Sequence, residues 1–163
     1  VFNNLVACAY TTGKIEIMSD GMPWRPVVHI KDVCSAFISG LEAPANLISR
    51  RAFNVGIPNG NFTVREIAEA AKRAVPGCEL IFTGEHIDPR SYKVSFTRIL
   101  TELKDYYKPE WDLDKGGQEL VDFYNEVGFT ENDFRGEKTI RLKQLMLLKE
   151  RKHIDNFLRM NKR

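Results

Sequence analysis

The sequence predicts an α/β fold, rich in helix and with only a few short strands. Two patterns predict it. Strand-like apolar runs alternate with helix-spaced apolar residues from the N-terminus to about residue 103. Beyond that point the spacing is helical only, so helices outnumber strands. In order, "NNLVACAYTT" reads as a short helix stopped by Gly13. "KIEIM" alternates and reads as a strand, "SDGMP" as a turn, and the apolar "VVHI" as a short buried strand. "KDVCSAFISGLEAP" places Val33, Ala36, Phe37, Ile38 and Leu41 at helical spacing and ends near Pro44. "RAFNVG" reads as a strand closed by glycine. "TVREIAEAAKRAVPG" is the clearest helix, with Thr63 and Glu66 as a capping box and Pro76-Gly77 as its stop. "ELIF" is a strand, and "SYKVSF" an extended piece leading into the helix "TRILTEL". "DKGGQELVDFYNEVG" is a helix with Leu120, Tyr124 and Val127 on one side. "TIRLKQLMLLKE" sets Leu142, Leu145, Met146 and Lys149 at i, i+3, i+4 and i+7.

Composition narrows the class. The chain has 163 residues, 43% hydrophobic and 28% charged, which suits one soluble globular domain. No apolar run approaches the roughly 20 residues that span a bilayer. The opening "VFNNLVACAY" lacks an initiating Met and a basic n-region, and starts inside an apolar pattern. We therefore expect a piece of a longer chain rather than a signal peptide. Cys8, Cys34 and Cys78 are odd in number and lie among apolar neighbours, so buried, reduced thiols and a cytoplasmic location are expected. His29, His86 and His153 have no ligand-spaced partners, so no metal site is expected.

Charge is uneven. Residues 135 to 163 hold 10 Lys/Arg against 3 Asp/Glu, leaving 14 against 19 for the rest. Such a tail suits nucleic acid or an acidic membrane surface, or it is the solvated face of a basic amphipathic helix. The apolar stripe within it favours the helix, with neither nucleic acid nor membrane as partner.

Arg25 is the first residue that carries chemistry. It sits between a tryptophan and a proline at the mouth of "VVHI". A guanidinium beside a buried strand must meet a carboxylate or an anionic ligand, and its fork suits phosphate. Asp20 and Asp32 are acidic candidates, and the residues alone leave both answers open. Asp88 and Arg90 flank Pro89, whose fixed φ can hold Arg90 in one orientation, although a local surface pair fits as well. "NVGIPNGNFT" contains Gly56 and Gly60, but the spacing is not that of a phosphate loop, and a tight connection explains it. Tyr10 and Lys14 have the Y-x-x-x-K spacing of a dehydrogenase pair. That chemistry needs both on one helix face, and Gly13 intervenes. The sequence thus supplies no catalytic, cofactor-binding or metal-binding residue.

Taken in order, "IEIMSDGMPWRPVVHIKDVCSAF", "RAFNVG", "TVREIAEAAKRAV" and "DPRSYKVSFTRI" resemble the C-terminal half of the extended short-chain dehydrogenase/reductase family, the NAD(P)-dependent nucleotide-sugar epimerases and dehydratases. Each motif is weak alone; four in order are specific, over residues 1 to about 128. The resemblance implies a substrate-binding portion over 1–134, the C-terminal part of an extended Rossmann-type enzyme, followed by a basic amphipathic helical extension over 135–163. It implies that Arg25 contacts the phosphates of a nucleoside-diphosphate sugar, with Arg90, Asp88 and Asn4 also at the substrate. The family's second phosphate arginine precedes the position of Asp88. Here those positions read "GEH", so Arg90 would substitute from the other side. NAD or NADP would belong to the intact enzyme, a homodimer, and not to this chain. The partner expected for the "AFNVG" strand and the "KDVCSAF" helix is the missing Rossmann half or a second chain. A non-enzymatic nucleotide-sugar-binding module and a nucleic-acid-binding protein are the alternative readings.

Overall fold

A computed structural model describes residues 1–84 and 89–161. Gly13, in the left-handed conformation at φ 70°, closes helix α1 (Phe2–Thr12), and its N–H returns to the Ala9 carbonyl. The chain then enters β1 (Lys14–Ile17), whose Ile15 and Ile17 point inward. β1 pairs in parallel with β4 (Glu79–Phe82), Lys14 opposite Glu79 and Ile17 opposite Phe82. The crossover between them holds a second, antiparallel pair: β2 (Trp24–Pro26) against β3 (Asn61–Thr63), Arg25 opposite Phe62. Helix α4 (Val64–Ala74) starts on the predicted capping box. Thr63 accepts from Glu66 N, and Glu66 accepts from Thr63 N at 2.7 Å.

Two apolar clusters form. The larger joins Leu5, Val6 and Ala9 of α1, Ile15 and Ile17 of β1, Ile67 and Ala71 of α4, and Leu113 and Tyr124 of α6 (Leu113–Val127). Gly117 lets α6 approach α4: a Cβ there would meet the Ala74 Cβ at 2.8 Å. The smaller gathers Ala36 and Ala43 from the region of α2 (Ile30–Glu42) with Phe96, Ile99, Leu103 and Tyr107 around α5 (Thr97–Glu102). The short helices α3 (Ala45–Ile48) and α7 (Glu131–Arg135) complete this part of the chain.

The structure corrects several expectations. "VVHI" is not a strand: β2 ends at Pro26, and His29 caps α2, its ring nitrogen accepting from Lys31 N. Residues 52–55 form no strand either. No described strand runs beside them; instead Arg98 donates to the Ala52 carbonyl and Asn54 to the Ser95 carbonyl. On α2, Ala36, expected to be exposed without a partner, is buried in the smaller cluster and Val33 is half-buried, whereas Phe37 at 73% and Leu41 at 87% are exposed as expected of a helix face without its partner. Cys34, expected to be buried, is exposed on the same helix. In the basic extension, helix α8 (Arg141–Glu150) forms with no buried residue. Its half-buried side holds Gln144, Leu145, Leu147 and Leu148, whereas Leu142 and Met146 of the predicted stripe face solvent. Among the described residues, no helix is long and apolar enough to cross a membrane, and no cluster of three metal-ligand side chains forms.

Candidate functional site

Arg25 lies half-buried on β2. Directly paired residues of an antiparallel ladder share a face, so Arg25 and Phe62 look the same way. Phe62 lines a cavity of about 300 Å³ together with Val27, Phe2, Asn3, His29 and Trp111. Apolar side chains form most of this wall, with a few polar groups at its edge, as in small-molecule sites.

Residues 90–94 run beside this hairpin. Trp24 N donates to the Ser91 hydroxyl at 3.1 Å, and the Asn61 side chain bridges Val94 N and O at 2.8 and 2.9 Å. This seam brings the two predicted arginines together: Arg25 Nη1 donates to the Arg90 carbonyl, and to its neighbour Trp24's carbonyl at 2.7 Å. The Arg25 guanidinium also stands 5.7 Å from the centre of the Tyr92 ring. Alternation along β2 sends Trp24 the other way, where the Lys93 ammonium covers its ring at 3.5 Å. Both acidic residues proposed from sequence as neighbours of Arg25 have other work. Asp20 accepts from Met22 N at 2.9 Å, and Asp32 accepts from Glu110 N and Trp111 N at 2.9 and 3.1 Å.

The other rim of the cavity was not legible in the sequence. His29 stacks on Trp111, and its Nε2 meets Glu119 at 2.8 Å. Because His29 Nδ1 accepts from Lys31 N, Nε2 carries the hydrogen and donates to Glu119. Lys31 bonds the second Glu119 oxygen. Lys31, and after it His29, hold the Glu119 carboxyl below the usual carboxylate range. These residues lie 88 and 90 positions from Glu119, so no local spacing pointed to them.

Asn4 is exposed on α1 and lines a different cavity, with Tyr124, Phe129 and Ile140; its neighbour Asn3 reaches the cavity near Arg25. Asp88 lies outside the described residues. Tyr10 donates to Asn125 at 2.9 Å, while Lys14 sits on β1 beside Glu79 at 3.4 Å, so the Y-x-x-x-K pair is split between two elements. The glycines at 56 and 60 serve close packing. A Cβ at Gly56 would lie 2.4 Å from the Phe96 ring, and one at Gly60 2.9 Å from the Ile57 carbonyl, so a tight connection explains both.

Residues 1–56 match the NAD dependent epimerase/dehydratase family. The fold is similar to that of L-threonine dehydrogenase from Clostridium difficile, with a TM-score of 0.62 and 19% identity, covering 77% of this chain and 40% of that one. It is similar to UDP-glucuronic acid 4-epimerase from Bacillus cereus, solved with UDP-glucuronic acid and NAD, at 0.60, 19%, 77% and 40%. ADP-L-glycero-D-manno-heptose-6-epimerase from Helicobacter pylori gives 0.59, 18%, 76% and 36%. The chain spans about 40% of the length of these structures. Residues 1–56 thus carry the sequence match to the NAD dependent epimerase/dehydratase family, and the α/β fold of the chain is similar to about 40% of these larger structures.

Proposed function

We propose that this chain is the nucleotide-sugar-binding portion of an NAD(P)-dependent sugar epimerase or dehydratase, and that its turnover requires a cofactor-binding half. The observation that carries the reading is the seam at Arg25. There Arg25 Nη1 meets the Arg90 carbonyl, and Phe62, the residue paired with Arg25 across the β2–β3 hairpin, lines the mostly apolar cavity. A diphosphate would lie against the Arg25 guanidinium, where charge-assisted bonds to phosphate are the strong ones. Arg90 would add a second cation to the anion site, and Asp88, two positions earlier in the chain, would accept from a hydroxyl of the ligand. The cavity wall of Val27, Phe62 and Phe2 would take the less polar part of the ligand.

The same reading accounts for α2. Ile30, Phe37, Ile38 and Leu41 are large, apolar and exposed on one helix. An uncovered patch of that kind marks a docking surface. Its occupant would be the Rossmann half, which would also bring NAD or NADP and the catalytic groups. The test is thermal denaturation of this chain with UDP-glucuronic acid, ADP-heptose, UDP alone and L-threonine. Stabilisation by the nucleotides and not by threonine supports the reading. Stabilisation by threonine alone replaces it with an amino-acid dehydrogenase.

A further inference from the structure

The C-terminal segment after α8 folds back into a small hairpin that nothing above uses. Ile154 pairs antiparallel with Met160, and Asn161 N donates to the His153 carbonyl at 2.9 Å. Asp155 organises the turn. Its N–H bonds the Arg159 carbonyl at 2.9 Å, and its carboxylate accepts from Phe157 N and Arg159 N at 2.8 and 3.0 Å. The hairpin is rooted by Ile154, which is buried.

What this frame presents is unusual for a turn. Its tip residues Phe157 and Leu158 are 79% and 58% exposed, and Met160 beside them is exposed as well. Turn tips are usually Gly, Asn, Asp or Ser. Leu158 is moreover held at φ +61°, a conformation that residues with side chains rarely adopt. Backbone strain that displays an apolar side chain to solvent points to use rather than to packing. The surrounding charge is basic. Arg151, Lys152 and Arg159 are exposed, and the Arg159 guanidinium stands 5.8 Å from the centre of the Phe157 ring. Asp155 and Glu150 are the acidic residues of this stretch, and Asp155 is occupied by backbone N–H groups, which leaves the three cations in excess.

We propose that this hairpin is a membrane-surface contact: Phe157 and Leu158 enter the headgroup–acyl boundary of a bilayer while Arg151, Lys152 and Arg159 meet anionic headgroups. Apolar burial plus attraction to anionic lipid is the physical basis of peripheral binding, and each alone is weak. Phosphate-rich nucleic acid would satisfy the cations but would leave Leu158 and Met160 wet, which is why lipid fits better. This assignment departs from the solvated basic face expected of the extension from sequence, and it is independent of the proposed sugar chemistry.

The test is co-sedimentation of the chain with phosphatidylcholine vesicles made with and without phosphatidylglycerol. We expect binding only to vesicles that contain phosphatidylglycerol. Replacing the tip by Phe157→Ser with Leu158→Ser should weaken it by at least about tenfold. Arg151→Gln with Lys152→Gln should weaken it most at low salt, and the difference from the unmodified chain should shrink as salt rises. Circular dichroism checks that each variant folds. Absence of binding overturns the proposal. So does binding that ignores the tip substitutions, which would implicate the apolar face of α2. Heparin binding that tracks the same variants, without vesicle binding, overturns it in favour of a polyanion site.

Discussion

The imidazole of His29 lies flat on the indole of Trp111, ring centroids 4.0 Å apart and 12° from parallel. This contact ties the start of α2 to the loop before α6, and Glu119 locks it from below by accepting from His29 and Lys31. Its sensitivity to acid follows. Lys31 first, then His29, holds the folded-state Glu119 pKa below its ordinary value of 4.5. A depressed carboxyl pKa contributes stability above the unfolded value and loses it as pH falls through the folded one. With Trp24→Phe leaving Trp111 as the sole tryptophan, its fluorescence should change in a transition below pH 4.5. Glu119→Gln should remove that transition. An unchanged transition in Glu119→Gln would mean that another carboxylate governs it.

Asp32 is 2% exposed, and its carboxylate holds two successive backbone N–H groups, those of Glu110 and Trp111. Asp32→Ala leaves both donors without a partner in a dry place. Each such loss costs about 1 to 3 kcal/mol, so unfolding free energy should drop by about 2 to 5 kcal/mol. Asp32→Asn keeps one acceptor and should lose less. Urea denaturation followed by circular dichroism measures both. A change below about 0.5 kcal/mol in Asp32→Ala would show that this loop does not depend on Asp32.

Tyr107 is buried, and its hydroxyl donates to the Gly56 carbonyl at 3.1 Å. Burial, and secondarily the charge of Asp32, push its pKa up to about 12. The neutral phenol is thus the form the fold accepts. Its contribution is complete below the unfolded value near 10 and is lost as pH rises toward about 12. Absorbance titration should show a tyrosine that ionises only near that upper pH, and Tyr107→Phe should delete that step. A full set of tyrosines titrating near 10 would contradict the burial.

Local signals were legible in the sequence and long-range ones were not. The closure at Gly13, the Thr63–Glu66 capping box and the separate strands "KIEI" and "ELIF" followed from turn chemistry and periodicity, whereas the parallel pairing of those two strands did not. "VVHI" misled because an apolar run has no period. His29 took a capping role there, and the strand closed at Pro26, before the first residue of "VVHI". "AFNV" misled differently: its pattern suits a strand, but a strand needs a neighbour, and none is present among the described residues. Arg25 was singled out because a charge beside an apolar run demands a partner, and the partners it meets include the Trp24 and Arg90 carbonyls. Trp111 and Glu119 were not, because the loop before α6 and α6 itself reach His29 at the start of α2 from about 80 to 90 positions along the chain.

The exposed side chains of α2 should drive association. Phe37 and Leu41 are among the most exposed large apolar groups of the chain, and neither contributes to its clusters. Sedimentation velocity of the chain alone should show concentration-dependent oligomers, which Phe37→Ser with Leu41→Ser should convert to monomer. A monomer at all concentrations would show that this face needs no cover.

The central claim is that Arg25 recognises a diphosphate, and the most direct measurement is calorimetric titration of Arg25→Ala and the unmodified chain with UDP-glucuronic acid. Charge-assisted bonds to phosphate are worth roughly 1.5 to 3 kcal/mol each, so the substitution should weaken binding by about tenfold to a hundredfold. The melting temperature should stay within a few degrees, because the carbonyls that Arg25 meets at Trp24 and Arg90 lie near the surface, where water replaces the bond. Equal affinity of the two proteins, with a melting temperature lowered by several degrees in Arg25→Ala, would make Arg25 a structural clasp for the 90–94 segment and would contradict the account.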